Sequence, residues 1–216
     1  PWSAEMLNQQ GADAHFFGHP IKQLNREVNT TGPRQGVALL PGSRRAEVEQ
    51  LMPLYSRIMV DRPDLPAVFP VSGAVERQVA ERWERLPHRE NDTFVQPRMR
   101  GGMASVAATV EAAIACSGTA TLEVALAKTP MAIVYRVSKA VETEAKLIRF
   151  KMPKFIGLPN VLLDREIAPE FVQHDATPEN VGGYLDRLLS EDAERRRQVE
   201  GFEELSELLG PSDALT

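Results

Sequence analysis

Two short stretches of the chain combine residue types that can hold an anion. The first is Leu39 to Arg45 (LLPGSRR). Gly42 permits close backbone approach, the Ser43 hydroxyl can donate, and Arg44 brings a cation to the start of a helix. Free N–H groups and the helix dipole favour negative charge at such a place. The second is Ala115 to Glu123 (ACSGTATLE). Ser117, Thr119 and Thr121 offer hydroxyls, while Gly118 and Ala120 leave room for a phosphate against backbone N–H groups. Glu123 follows one turn into the helix, where a carboxylate can accept from the two hydroxyls of a ribose. Each loop has a plainer alternative. Ser43, Ser117 or Thr119 would then only cap a helix, and Glu123 would only complement its dipole. Local pattern leaves both readings open.

Other chemistries lack their residues. There is no Walker A sequence, no G-x-G-x-x-G and no H-E-x-x-H. His15, His19, His88 and His174 are scattered and have no cysteine at metal spacing, so no metal and no cofactor is expected. Ser117 lacks a nucleophile elbow. Cys116, at the end of an apolar run, reads as a small buried thiol rather than a nucleophile.

The elements that must carry these loops alternate along the chain. Short apolar strands are expected at Ala14–Phe17, Val37–Leu40, Ala67–Val71, Thr93–Gln96, Ala112–Cys116 and Met131–Tyr135. Helices are expected at Arg44–Asp61, Ala74–Leu86, Gly101–Thr109, Thr119–Ala127 and Lys139–Phe150. In the first of these, Val48, Leu51, Met52, Tyr55 and Met59 share a face, and Pro53 should kink it. Gly18-His19-Pro20 is read as a stop after the first strand, and Asn29–Gly36 as a polar linker. Strands of four or five apolar residues separated by helices imply parallel pairing with both faces covered. The fold class is therefore α/β, a Rossmann-like doubly wound parallel sheet. The tail, Pro178–Leu209, reads as helical, capped by Thr177 and ended by Gly210-Pro211.

Composition narrows the function classes. Of 216 residues, 43% are hydrophobic and 25% charged, which suits a globular chain with a real core. Lys+Arg 25 against Asp+Glu 30 gives a net charge of −5, which argues against nucleic acid as a partner. The single Cys116 excludes an intramolecular disulfide and fits a reducing compartment. Ala104–Cys116, the most apolar run, contains Glu111 and is too short to span a bilayer. No signal peptide is seen.

Taken together, the loops resemble the lipid-A-disaccharide synthase family. The residues that carry the resemblance are spread along the chain. They are Gly18-His19-Pro20, LLPGSR with Glu47 after it, SGTATLE at Ser117–Glu123, and Thr129-Pro130-Met131 with Val134-Tyr135-Arg136. Leu158-Pro159-Asn160, Arg165-Glu166, Pro169-Glu170-Phe171 and Thr177–Asn180 complete the set. The resemblance implies the C-terminal, donor-binding half of a GT-B glycosyltransferase, built of two Rossmann domains. It implies transfer of 2,3-diacylglucosamine from UDP-2,3-diacylglucosamine to 2,3-diacylglucosamine 1-phosphate, forming a β-1,6 linkage, releasing UDP and needing no metal. By the same resemblance Arg44, with Gly42 and Ser43, would bind the diphosphate and assist departure of UDP. Ser117, Gly118, Thr119, Ala120 and Thr121 would cradle the phosphates, and Glu123 would hold the ribose. Asn160 would reach the nucleotide or donor sugar, and Tyr135 and Arg136 would line the same cleft.

The resemblance also implies a division of the chain. Residues 1–31 would end an N-terminal domain and cross over, 32–190 would bind the UDP-sugar, and 191–216 would form a helical tail. The chain begins at Pro1, and the family's general base is expected upstream of it. A non-catalytic UDP-sugar-binding module and another GT-B enzyme such as a UDP-GlcNAc 2-epimerase remain alternatives. Lys139, Lys146, Arg149, Lys151 and Lys154, interleaved with Val141, Leu147, Ile148, Phe150 and Met152, suggest a helix facing a membrane or acyl chains, against the plainer reading of a helix packed on the sheet. A cytoplasmic location peripheral to the inner membrane and a homodimer are further expectations.

Overall fold

The computed structural model describes residues 2–15, 18–25, 27–90, 92–97, 101–148 and 152–210. Six strands form one parallel sheet: β1 (Val37–Leu40), β2 (Ala67–Pro70), β3 (Thr93–Val95), β4 (Ala112–Cys116), β5 (Met131–Tyr135) and β6 (Glu170–Val172). Their spatial order is β3-β2-β1-β4-β5-β6, the doubly wound arrangement. β1 and β4 lie side by side in the middle, with Val37 opposite Ala112 and Leu40 opposite Ala115.

Alternation along the strands divides the core in two. Val37, Leu39, Ala112, Ile114, Ala132 and Val134 face one side. Ala38, Leu40, Ala113, Ala115, Met131 and Ile133 face the other. This is the period of 2 expected of strands, with apolar residues at both phases because both faces are covered. Helices α3 (Arg45–Val60), α4 (Glu76–Glu84) and α9 (Pro178–Ser190) pack on the first side. On the second lie α2 (Pro20–Leu24), α5 (Gly102–Ala107), α6 (Ala120–Leu126), α8 (Leu158–Leu163) and α10 (Asp192–Leu208). The remaining helices are α1 (Trp2–Gln9) and α7 (Lys139–Leu147).

α3 continues through Pro53, as expected of that helix; the missing N–H costs one bond in an element held by eight buried side chains. Several other expectations need correction. Gly18-His19-Pro20 starts a helix: the His19 ring accepts from the Ile21 N–H at 3.2 Å and Pro20 takes the first position. Of the strand expected at Ala14–Phe17, Ala14 and His15 are irregular, and Phe16 and Phe17 lie outside the described residues. α8 and β6 were not expected. The tail is two helices, broken where Glu191 turns extended (φ −107°, ψ 101°). α9 stays on the α3 side, and α10 crosses to the α6 side.

That crossing is anchored by a buried amide. β6 begins at the level of Ile133, so it leaves the start of β5 without a neighbour on that edge. Gln198 of α10, fully buried, supplies what a strand would. Its Oε1 accepts from Met131 N at 2.9 Å, and its Nε2 donates to Met131 O at 3.0 Å and to the Tyr184 hydroxyl at 2.7 Å. Gln198→Leu should orphan both Met131 groups and cost about 2–3 kcal/mol. Urea unfolding checks this; a midpoint within error of the parent would contradict the role given to Gln198.

Candidate active site

The carboxyl ends of β1 and β4 diverge into loops, which is where a doubly wound sheet opens a crevice. A cavity of about 280 Å³ sits there, between the β1–α3 and β4–α6 loops, with Pro70, Ser72 and Met103 also on its wall.

At the β1–α3 loop, the N-terminus of α3 is already occupied by the chain's own carboxylate. Glu47 Oε2 accepts from the N–H groups of Ser43 (2.9 Å) and Arg44 (3.1 Å), and Oε1 pairs with the Arg44 guanidinium at 2.9 Å. Gly42, at φ +95°, gives Glu47 its place: any side chain there would collide with that carboxylate. The flanking cap is Arg44, not Ser43. The Arg44 side chain is 81% exposed, so it can swing.

Two other helix starts are filled the same way. Glu123, from α6, reaches across to α5 and accepts from Met103 N at 2.8 Å. Gly102 (φ +43°) makes room for it, since a Cβ there would lie 2.5 Å from Oε2. Burial raises the Glu123 carboxyl above its ordinary value, and the N–H groups of Met103 and Ala104 oppose the shift. Glu170 accepts from Ile156 N and Gly157 N, both at 2.9 Å, at the start of α8.

The start of α6 differs. Ser117 Oγ donates to Ile156 O at 2.7 Å and Thr121 Oγ1 to Gly118 O at 2.7 Å. Among the described residues, no acceptor meets the N–H groups of Gly118, Thr119 and Ala120, and Gly118 and Thr119 are exposed at the cavity rim. The open donors of this crevice therefore lie on the β4–α6 side, with Arg44 across from them.

Gly42, Ser43, Arg44, Ser117, Gly118, Thr119, Ala120 and Glu123 thus converge on one cavity. Thr121 does not: it is fully buried and its hydroxyl is spent on Gly118. Asn160 does not line the cavity either. It is fully buried, donating to Ala168 O (2.7 Å) and Glu170 (2.8 Å) and accepting from Ile167 N (2.8 Å) and Ala168 N (3.0 Å). All four hydrogen-bonding directions of that amide are used to hold β6 and α8 together. Tyr135 and Arg136, half-buried at the end of β5, lie outside the cavity wall. Cys116 is on the wall, where burial and the nearby Glu47 charge push its thiol up to about 12, with Arg44 opposing. Glu47, Ser72 and Met103 were not among the expected site residues. Ser72 carried one signal, a hydroxyl directly after an expected strand. Among the described residues, no three His, Cys, Asp or Glu side chains converge as metal ligands.

A family model for lipid-A-disaccharide synthetase matches residues 1–214. The chain belongs to that family. Curated relatives agree. It is 35% identical to the lipid-A-disaccharide synthase of Methylobacillus flagellatus over 97% of the chain and 58% of that protein. It is 32% identical to that of Rhodospirillum centenum over 99% of the chain and 55% of the relative. The chain thus spans little more than half the length of these relatives. Among solved structures, a UDP-N-acetylglucosamine 2-epimerase superposes with a TM-score of 0.58 at 17% identity, covering 99% of this chain and 52% of that one. The UDP co-structure of S. aureus MnaA does so with a TM-score of 0.57 at 16% identity, covering 98% and 54%. At such identity these show the fold alone, a Rossmann-like α/β domain.

The Glu123 shift has a definite pH signature. A carboxyl whose folded-state pKa is raised adds stability that is present below its unfolded value of about 4.3 and lost as pH rises through the folded one. Glu123→Gln keeps an acceptor for Met103 N but does not titrate. The unfolding free energy of the parent minus that of Glu123→Gln should therefore fall with rising pH across this window. Denaturant unfolding at a series of pH values measures it, and a flat or rising difference would contradict the assignment.

Proposed function

We propose that this chain is the donor-binding part of a lipid A biosynthetic glycosyltransferase. The reaction is transfer of 2,3-diacylglucosamine from UDP-2,3-diacylglucosamine to the 6-hydroxyl of 2,3-diacylglucosamine 1-phosphate. The glycosidic C–O bond to UDP breaks, the β-1,6 bond forms, and UDP leaves. In this reading residues 32–190 are the UDP-sugar domain, 1–31 the crossover and 191–216 the tail. The observation that carries it is the pairing, across one crevice, of three open backbone donors at the start of α6 with the exposed Arg44 guanidinium.

The departing diphosphate gains negative charge as the glycosidic bond breaks. Donors fixed in advance around it lower the barrier, because they need not reorient during reaction. The N–H groups of Gly118, Thr119 and Ala120, with the Thr119 hydroxyl, form that fixed set. Arg44 completes it by leaving Glu47. The carboxylate of Glu47 then stays on the N–H groups of Ser43 and Arg44, so α3 keeps its cap while its arginine moves. Glu123 shapes the wall through α5, and its remaining oxygen is available to the ribose. No residue of this chain is assigned as the base that activates the acceptor hydroxyl.

The sugar nucleotide carries acyl chains, and the reading places the protein at the cytoplasmic face of the inner membrane. Leu147 (84% exposed), Ile148 (68%), Met152 (50%) and Val141 (49%) form an apolar strip on α7 and just beyond it. The cations Arg149 and Lys151 lie outside the described residues, and so does the Lys146 side chain. No described helix is long and apolar enough to cross a membrane. A Leu147→Ser, Ile148→Ser double variant should sediment less with anionic liposomes than the parent; equal sedimentation would remove the membrane role from this strip.

The nucleotide site is tested by calorimetry with UDP. Arg44→Ala should weaken binding about tenfold, the worth of a charge-assisted contact. It should barely change the melting temperature, because the side chain is exposed. Parent-like affinity would displace the diphosphate from this crevice. For the reaction, the two lipid substrates are supplied to the chain and to the product of its whole reading frame, and disaccharide is followed with UDP release. Release of UDP without disaccharide, or epimerised sugar, would overturn the transferase reading.

A further inference from the structure

Eight buried side-chain polar atoms among the described residues have no hydrogen-bond partner, and only one belongs to a residue of the crevice: Ser72 Oγ. Ser72 follows the end of β2, one strand away from β1. Its obvious structural duties are filled by other atoms. The Ser72 carbonyl, not the hydroxyl, accepts from Val75 N at 3.0 Å at the start of α4, and no side chain caps that helix. A shielded hydroxyl without a partner is a cost to the ligand-free fold. Rotation between staggered χ1 wells re-aims it without moving the backbone.

The other polar groups on the wall indicate what it meets. Both carboxylates there, Glu47 and Glu123, are committed to backbone N–H groups. Apart from the Glu123 oxygen that the nucleotide reading gives to the ribose, the wall offers donors: the N–H groups starting α6 on one side, the exposed Arg44 guanidinium once it leaves Glu47, and Ser72 on the β2 side. Donors converging from several directions suit an anion with several oxygens.

We propose that Ser72 is a further ligand-binding residue of this site, its hydroxyl donating to a phosphoryl oxygen of a bound nucleoside diphosphate. The inference rests on the nucleotide reading above and deepens it by extending the phosphate site to β2. Calorimetry with UDP and with uridine, on the parent and Ser72→Ala, tests it together with thermal unfolding of the ligand-free proteins. Ser72→Ala should bind UDP about tenfold more weakly while its uridine affinity stays that of the parent. Its ligand-free melting temperature should stay level or rise, since the variant removes an unpartnered hydroxyl. A purely structural serine would lower that temperature, and this result overturns the proposal. So does unchanged UDP affinity, or an equal loss for UDP and uridine. A parent that binds neither ligand refutes the nucleotide site itself, an outcome distinct from the others.

Discussion

The parallel pairing of β1 with β4 is the constraint on which the rest depends. These strands are adjacent in space but separated in sequence by two strands and three helices. From β1 the chain winds outward in one direction, and from β4 in the other. The helices that follow them, α3 and α6, therefore fall on opposite faces of the sheet. Their starting loops separate at the carboxyl edge, and the cavity between them follows from topology before any side chain is specified. Every residue of these two strands, Val37 to Leu40 and Ala112 to Cys116, is buried, because both layers of helices close on the sheet.

Around that cavity the protein manages its helix dipoles with internal carboxylates. Glu47, Glu123 and Glu170 each occupy the N-terminal donors of a helix, and glycine at 42 and 102 removes the side chain that would stand in the way of the first two. An anion arriving from solvent would have to displace a neutralised, tightly packed partner at α3. At α6 it meets open donors. Discrimination between two similar loops thus comes from where the chain spends its own negative charge.

Much of this is legible in the sequence. Val37–Leu40, Ala112–Cys116 and Met131–Tyr135 are strands with the bounds the sequence predicts, because each is a short apolar run closed by a turn signal or a polar residue. β6 was missed for the same reason in reverse: Glu170-Phe171-Val172 opens with a carboxylate and is half-buried throughout. α8 is six residues with proline near its start, too short for periodicity to register. The break at Glu191 left no mark in a continuous helical pattern; it exists because α10 must cross the sheet edge to bury Phe202 and Leu205. Asn160 shows the limit most sharply. A polar residue in a distinctive motif invites a ligand role, but only the fold reveals that its partners are Ala168 and Glu170.

What the sequence determined by itself was the alternation of apolar strands and amphipathic helices, the two small-residue loops, and the family. Those are local properties, set by burial periodicity and turn chemistry within a few residues. What only the tertiary structure decided was which polar groups remain free. Glu47 occupies the donors at the start of α3 and Glu123 reaches from its own helix to those of α5, while Ser72 Oγ is left without a partner beside them. Hydrogen-bond satisfaction is a property of pairs, and these pairs form between loops that only the packed sheet brings together.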